Sequence, residues 1–137
     1  TRKIIAQNAK GKSRIEEDAL ICPMIDARRM EVYCCFYNKA LNEVRETQPE
    51  IINESSFAEI LQNKKVYFCG NGAEKCKQYI THKNAIFLDE VYPLATSMIT
   101  LAEEAFAKND FADVAYFEPF YLKAAHVTMP KTILIPN

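Results

Sequence analysis

The stretch that most constrains this chain is residues 19–37, ALICPMIDARRMEVYCCFY. Residues 19–25 form an almost unbroken apolar run, and in residues 32–37 Val32, Cys34 and Phe36 alternate with Tyr33, Cys35 and Tyr37, so both faces are largely apolar. A strand with two apolar faces belongs inside a sheet that is covered on both sides. Residues 26–30 between the runs have the length of a hairpin loop but no glycine, which predicts an irregular turn joining two antiparallel strands. Pro23 removes a backbone donor and so implies a bulge, a strand start or an unpaired side at that point.

The segments on either side of this hairpin supply the rest of a domain. Residues 2–9 place Ile4, Ile5 and Ala9 at helical spacing, and residues 10–18, with Gly11, read as a polar linker. Residues 41–47 (LNEVRET) suit a shorter, exposed third strand that Pro49 ends. Ser56 followed by Glu59 has the spacing of a capping box, in which each side chain satisfies a free backbone donor, so a helix is expected over 57–62. Residues 66–69 read as a buried strand running into Gly70, Asn71 and Gly72, residues 73–80 as a second helix, and residues 85–88 as a fifth strand.

Pro93 fits the first turn of a helix reaching about residue 108, with Leu94, Met98, Leu101, Ala102, Ala105 and Phe106 on one face. If that face is buried, Leu94, Met98, Leu101 and Phe106 contribute roughly 1.5–3 kcal/mol each, and Met98→Asp unfolds or aggregates the domain. Residues 111–122 crowd Phe111, Val114, Tyr116, Phe117, Phe120, Tyr121 and Leu122 around Pro119, a density of aromatics expected to lie against something. A strand meander ahead of any crossover helix predicts an α/β fold, a mixed five-stranded sheet in the order βββαβαβα with helices on both faces. That is the order of a ribonuclease H-like (actin-like ATPase) half-domain.

Composition bounds the function. At 137 residues and 49% hydrophobic content the chain can build one packed core without staples. Its 17 basic and 18 acidic residues leave a formal charge of −1, which gives no long-range field toward nucleic acid or membrane. The basic residues Arg2, Lys3, Lys10, Lys12 and Arg14 are followed at once by Glu16, Glu17 and Asp18, so a solvated surface is expected and no direct nucleic-acid partner. The five cysteines, Cys22, Cys34, Cys35, Cys69 and Cys76, fall mostly in predicted strands, where a thiol behaves as a small buried hydrophobe and suits a reducing, cytoplasmic compartment. No apolar run approaches the roughly 18 residues of a membrane span, so no membrane partner is expected.

Catalytic chemistry finds few footholds. His82 and His126 stand alone in separate segments and are expected on the surface, and nothing has metal-ligand spacing, so neither a metal nor another cofactor is expected. None of the cysteines has an evident base beside it in sequence. Asp26, Glu31 and Asp89 could approach one another at strand ends for two-metal nuclease chemistry, but Asp26 closes its strand rather than sitting within it. The Gly70-Asn71-Gly72 sequence lacks the remainder of a dinucleotide or phosphate-loop motif and reads as a turn out of a strand. No catalytic residue is therefore expected.

Asp26, Arg28, Arg29 and Glu31 are the densest polar group attached to the core. In one reading Asp26 caps the turn by backbone hydrogen bonds while the arginines pair with nearby carboxylates. In the other the loop is a docking or anion-binding site, in which arginine supplies a planar fork of donors.

At these residues the chain resembles a known family. Residues 25–37 (IDARRMEVYCCFY), 68–72 (FCGNG), 93–102 (PLATSMITLA) and 118–122 (EPFYL) are similar, in order, to segments of the TsaB (YeaZ) family of bacterial tRNA threonylcarbamoyladenosine synthesis. The resemblance covers residues 19–122 and lacks the family's first domain with its I-D-T strand. It implies that residues 1–18 are the end of a linking helix and a linker, residues 19–122 the second ribonuclease H-like domain of a TsaB-type protein, and residues 123–137 a tail, the whole being a fragment.

It further implies a non-catalytic scaffold or activator in the cytoplasm, with a TsaD-type catalytic subunit and a TsaE-type ATPase as partners. Self-association through the last helix and tail is an additional expectation. The family is often labelled glycoprotease-like, and a peptidase or phosphotransferase fragment whose active site lies in the missing half is the alternative.

Overall fold

The structure is a computed structural model and describes residues 1–123; the expected tail beyond that point and His126 lie outside the described residues. The central hairpin forms as its double-faced pattern demands. Strands β1 (Leu20–Asp26) and β2 (Glu31–Tyr37) pair antiparallel, with Ile21 opposite Tyr37 and Asp26 opposite Val32. With β3 (Glu43–Ile51), β4 (Val66–Cys69) and β5 (Ala85–Phe87) they make one five-stranded sheet in the order β3-β2-β1-β4-β5. β4 runs parallel to β1, and β5 runs parallel to β4. β1 is thus the middle strand of a ribonuclease H-like sheet.

Two cores follow from the period of two along β1. Leu20, Cys22 and Met24 join Val32, Cys34, Phe36, Val66 and Phe68 on one face. Ile21 joins Cys35, Tyr67 and Cys69 on the other, under Ile5, Ala6 and Ala9 of helix α1 (Arg2–Lys12). Helix α1 runs past Gly11, contrary to the linker expected there; an added Cβ at Gly11 would meet nothing within 4 Å, so the residue faces open space. On the first face helix α2 (Ala58–Asn63) buries Leu61.

Several local expectations give way. Pro49 does not end the third strand but lies within it, opposite Tyr33, and β3 is longer than expected. An edge strand tolerates proline because one side of its backbone has no partner. The capping box does not form. The Ser56 hydroxyl instead accepts a bond from the Asn53 amide at 2.9 Å, and α2 starts after Phe57, which takes a left-handed φ of 61°. That conformation costs about 1–2 kcal/mol and is offset by the Phe57 ring, whose centroid lies 5.4 Å from Phe36 and 5.6 Å from Phe68.

The helix expected over 73–80 is a single 3₁₀ turn, Glu74–Cys76, because the amides of Ala73, Cys76 and Lys77 bond to carbonyls three residues back, at Gly70, Ala73 and Glu74. The last helix is also shorter than expected: a 3₁₀ turn at Ala95–Met98 leads into α3 (Ile99–Ala107).

Its apolar face is not in the core. Leu94 is 44% exposed, Met98 49% and Phe106 70%, and only Leu101 of the predicted face packs against the second cluster. The expectation that Met98→Asp unfolds the domain therefore falls. Phe111, Val114, Tyr116, Phe117, Phe120 and Tyr121 are exposed as well, with Phe111 set edge-on to Phe106 at 5.7 Å. Helical spacing reports that a helix has an apolar face, not what covers it. Among the described residues, no helix is long and apolar enough to cross a membrane.

Candidate functional site

The chain leaves β1 toward β2 on one side and leaves β4 toward β5 on the other, so the backbones part beyond the carboxyl ends of β1 and β4. In open α/β sheets this is where ligands enter. Here the glycine turn after β4 closes much of the gap. Gly70 has φ +92°, and an added Cβ would stand 2.4 Å from the Met24 carbonyl oxygen. A Cβ on Gly72 would lie 3.0 Å from both the Asp26 nitrogen and the Val32 side chain. Only glycine lets the two backbones meet so closely, and the contact carries Asn71 and Lys75 to the end of β1.

Asp26 is the hub. Its Oδ1 accepts from the Arg28 amide at 2.9 Å and from Lys75 Nζ at 2.5 Å, while its own amide donates to Asn71 Oδ1 at 3.2 Å. Lys75 Nζ also donates to the carbonyls of Arg29 and Glu31, at 2.7 Å each. The Lys75 ammonium, with the Arg28 amide, holds the Asp26 carboxyl below its ordinary value. Between Asp26 and Glu31 the chain turns through two left-handed residues, Arg28 (φ 70°) and Arg29 (φ 47°), closed by the Ala27 amide on Glu31 O and the Glu31 amide on Arg28 O.

The structural reading of this loop is thus half met. Asp26 caps the turn, but the arginines do not pair with carboxylates. Among the described residues neither guanidinium makes an ion pair or a hydrogen bond, and the Glu31 carboxylate is taken by Lys123. Residues 27–31, with Ile51 and Lys123, border an open cavity of about 410 Å³.

The other candidate groups are dispersed. Asp89 is held by Lys77 at 2.6 Å, so Asp26, Glu31 and Asp89 are each neutralised by a different lysine and do not gather on one point. Among the described residues no three His, Cys, Asp or Glu side chains form a metal-binding group. All five cysteines are buried and none is in a disulfide. Burial pushes the Cys22 and Cys35 thiols up, Cys69 to about 12 and Cys76 to about 11, which removes these four as thiolates near neutral pH, whereas a hydrogen bond with Cys22 holds Cys34 below its ordinary value. His82, expected on the surface, is half-buried, and its Nδ1 accepts from the Asn84 amide at 3.1 Å.

Sequence reasoning missed Asn71, Lys75 and Lys123. Asn71 was within reach, because a strand placed parallel to β1 brings its carboxyl end beside Asp26. Lys75 gave no signal, since it reads as one more charged residue of a predicted helix.

No protein-family model matches the sequence, and no curated protein matches it. Solved structures do. One is the crystal structure of an uncharacterized protein with similarity to peptidase YEAZ from Pseudomonas aeruginosa, with a TM-score of 0.70 at 18% identity over 89% of this chain. The likeness is one of fold. This chain spans 56% of that YEAZ-like structure, a little over half its length. A YEAZ-like fold agrees with the ribonuclease H-like sheet order and with a β1–β2 hairpin at its centre.

Proposed function

We propose that this chain is a non-catalytic domain of TsaB (YeaZ) type that supports a TsaD-type catalytic subunit, alongside a TsaE-type ATPase, in forming N6-threonylcarbamoyladenosine in tRNA. The observation that carries the reading is the YEAZ-like fold over 89% of the chain, and the ordered motifs at residues 25–37, 68–72, 93–102 and 118–122 support it. The chemistry of the site is compatible with a supporting role. Its carboxylates are each neutralised by a lysine and its thiols are buried, an arrangement suited to holding shape. In this reading the exposed face of α3 and residues 111–121 is a contact surface, for an accompanying domain or a second copy.

Reconstitution tests it. Adding the purified chain to a TsaD-type subunit, a TsaE-type ATPase, the small substrates and unmodified tRNA is expected to raise threonylcarbamoyladenosine yield, while the chain alone modifies no tRNA and cleaves no peptide. Yield that ignores the chain overturns the supporting role. Peptide cleavage or phosphoryl transfer by the chain alone favours the enzyme reading instead.

A further inference from the structure

The β1–β2 loop holds two cations that the fold does not use. Every carboxylate at this corner already has an ammonium, Asp26 with Lys75 and Glu31 with Lys123, whereas Arg28 and Arg29 have no anionic partner among the described residues. The local surplus is therefore the two guanidinium charges. The loop that carries them is strained and braced: Arg28 and Arg29 both sit in the left-handed region without being glycine, at about 1–2 kcal/mol per residue. Lys75 ties down the carbonyls of Arg29 and Glu31 from behind. Successive positive φ values are the geometry of a tight hairpin turn, and the bracing fixes the backbone that carries the two arginines. Beside the arginines the cavity has an apolar side, formed by Met30, which packs on the core, and by Ile51, which is 71% exposed at the end of the edge strand.

We infer that this corner docks an acidic peptide segment of a partner protein, one or two carboxylates on the Arg28 and Arg29 forks with an adjacent apolar side chain against Ile51 and Met30. Arginine forks take carboxylates in bidentate pairs, and the apolar wall selects for a side chain that a bare anion lacks. A nucleic acid strand fits less well. It carries a charge at every residue and brings no apolar side chain to set against Met30 and Ile51, on a chain with a net charge of −1. The inference stands on the loop alone and holds whether or not the chain serves a TsaD-type subunit.

The test uses the full chain and a fluorescein-labelled octapeptide alternating glutamate with leucine, read by polarisation at low salt. The expected result is saturable binding that weakens about tenfold for Arg28→Ala, about tenfold for Arg29→Ala, and on replacing the peptide's glutamates by glutamine. Arg14→Ala, at a remote exposed arginine, leaves it unchanged. Arg28→Lys with Arg29→Lys keeps the charge and loses the fork, and is expected to fall between wild type and the alanine variants. Circular dichroism melts confirm that each variant is folded. No binding at millimolar peptide, binding indifferent to the two arginines, or tighter arginine-dependent binding of a single-stranded RNA oligonucleotide or of inorganic pyrophosphate overturns the proposal.

Discussion

Replacing Lys75 by methionine tests whether one ammonium holds the β1–β2 loop closed. The residue keeps its length and apolar stem but loses three acceptors at once: the Asp26 carboxylate and the carbonyls of Arg29 and Glu31. A charged hydrogen bond in a protected setting contributes about 1.5–3 kcal/mol, but the Lys75 side chain is 22% exposed and that of Asp26 46%. With that screening the two carbonyl bonds contribute about 1 kcal/mol each and the ion pair about 0.5, so Lys75→Met destabilises by about 2.5 kcal/mol. For a domain of this size that lowers the melting temperature by roughly 8–12 °C.

Asp26→Asn removes only the ion pair, leaves the carbonyls capped, and is expected to cost under about 1 kcal/mol. Urea unfolding followed by tyrosine fluorescence measures both, since the chain has seven tyrosines and no tryptophan. Equal losses in the two variants would refute the idea that Lys75 works mainly by capping main-chain carbonyls. The pH dependence gives a second reading. Because the Asp26 carboxyl is held below its ordinary value in the fold, its contribution is present above the unfolded pKa of about 4 and is lost as pH falls through the lower folded value. In Lys75→Met that part of the acid destabilisation is expected to shrink.

Gly70→Ala places a Cβ 2.4 Å from the Met24 carbonyl at φ +92° and is expected to cost more than about 3 kcal/mol; a urea midpoint close to wild type would show that the β1–β4 crevice can open. Phe68→Ala empties the centre of the ring cluster, with Phe57 at 5.6 Å and Phe87 at 5.2 Å, and is expected to cost about 3–5 kcal/mol in the same assay. Met98→Asp, on the exposed face of α3, changes stability by no more than about 0.5 kcal/mol, and a thermal melt that drops as far as Phe68→Ala would return α3 to the core. The four thiols that burial holds protonated, Cys22, Cys35, Cys69 and Cys76, are expected to stay unreactive to a disulfide reagent in the native chain and to react in denaturant; fast native labelling at Cys69 would contradict its burial.

What could be read from the sequence was what local pattern alone decides. The two-faced apolar runs at 19–25 and 32–37 and the buried run at Val66–Cys69 become the middle of the sheet, because a segment with no polar face has nowhere else to go. Pro49 and Ser56 misled for a shared reason: each residue type has a strong local habit, and each was overruled by position. An edge strand has a side on which a missing donor costs nothing, and the Asn53 amide took the Ser56 hydroxyl that a cap would have used. The α3 face failed differently, since amphipathic spacing records a need for cover but not whether the cover is present. In the candidate site the hairpin residues Asp26, Arg28, Arg29 and Glu31 were visible as a charge cluster. Their brace was not, because Lys75 is far from Asp26 in sequence and only the parallel crossover to β4 brings the two together.

The proline within β3 has a bearing on what happens before the fold is complete. The β1–β2–β3 meander is synthesised ahead of β4 and β5, so for a time three strands exist whose outermost member offers a nine-residue edge to any other extended chain. Pro49 deletes one donor from that edge, and a register shift lies near Arg45, whose guanidinium folds back over the Phe36 ring at 5.5 Å. A strand from a neighbouring nascent copy that tries to zip along β3 meets an interrupted ladder rather than a continuous one. The interrupted edge therefore guards the β3 side of the half-made sheet against intermolecular zipping, while the β1 side stays open until β4 pairs with it.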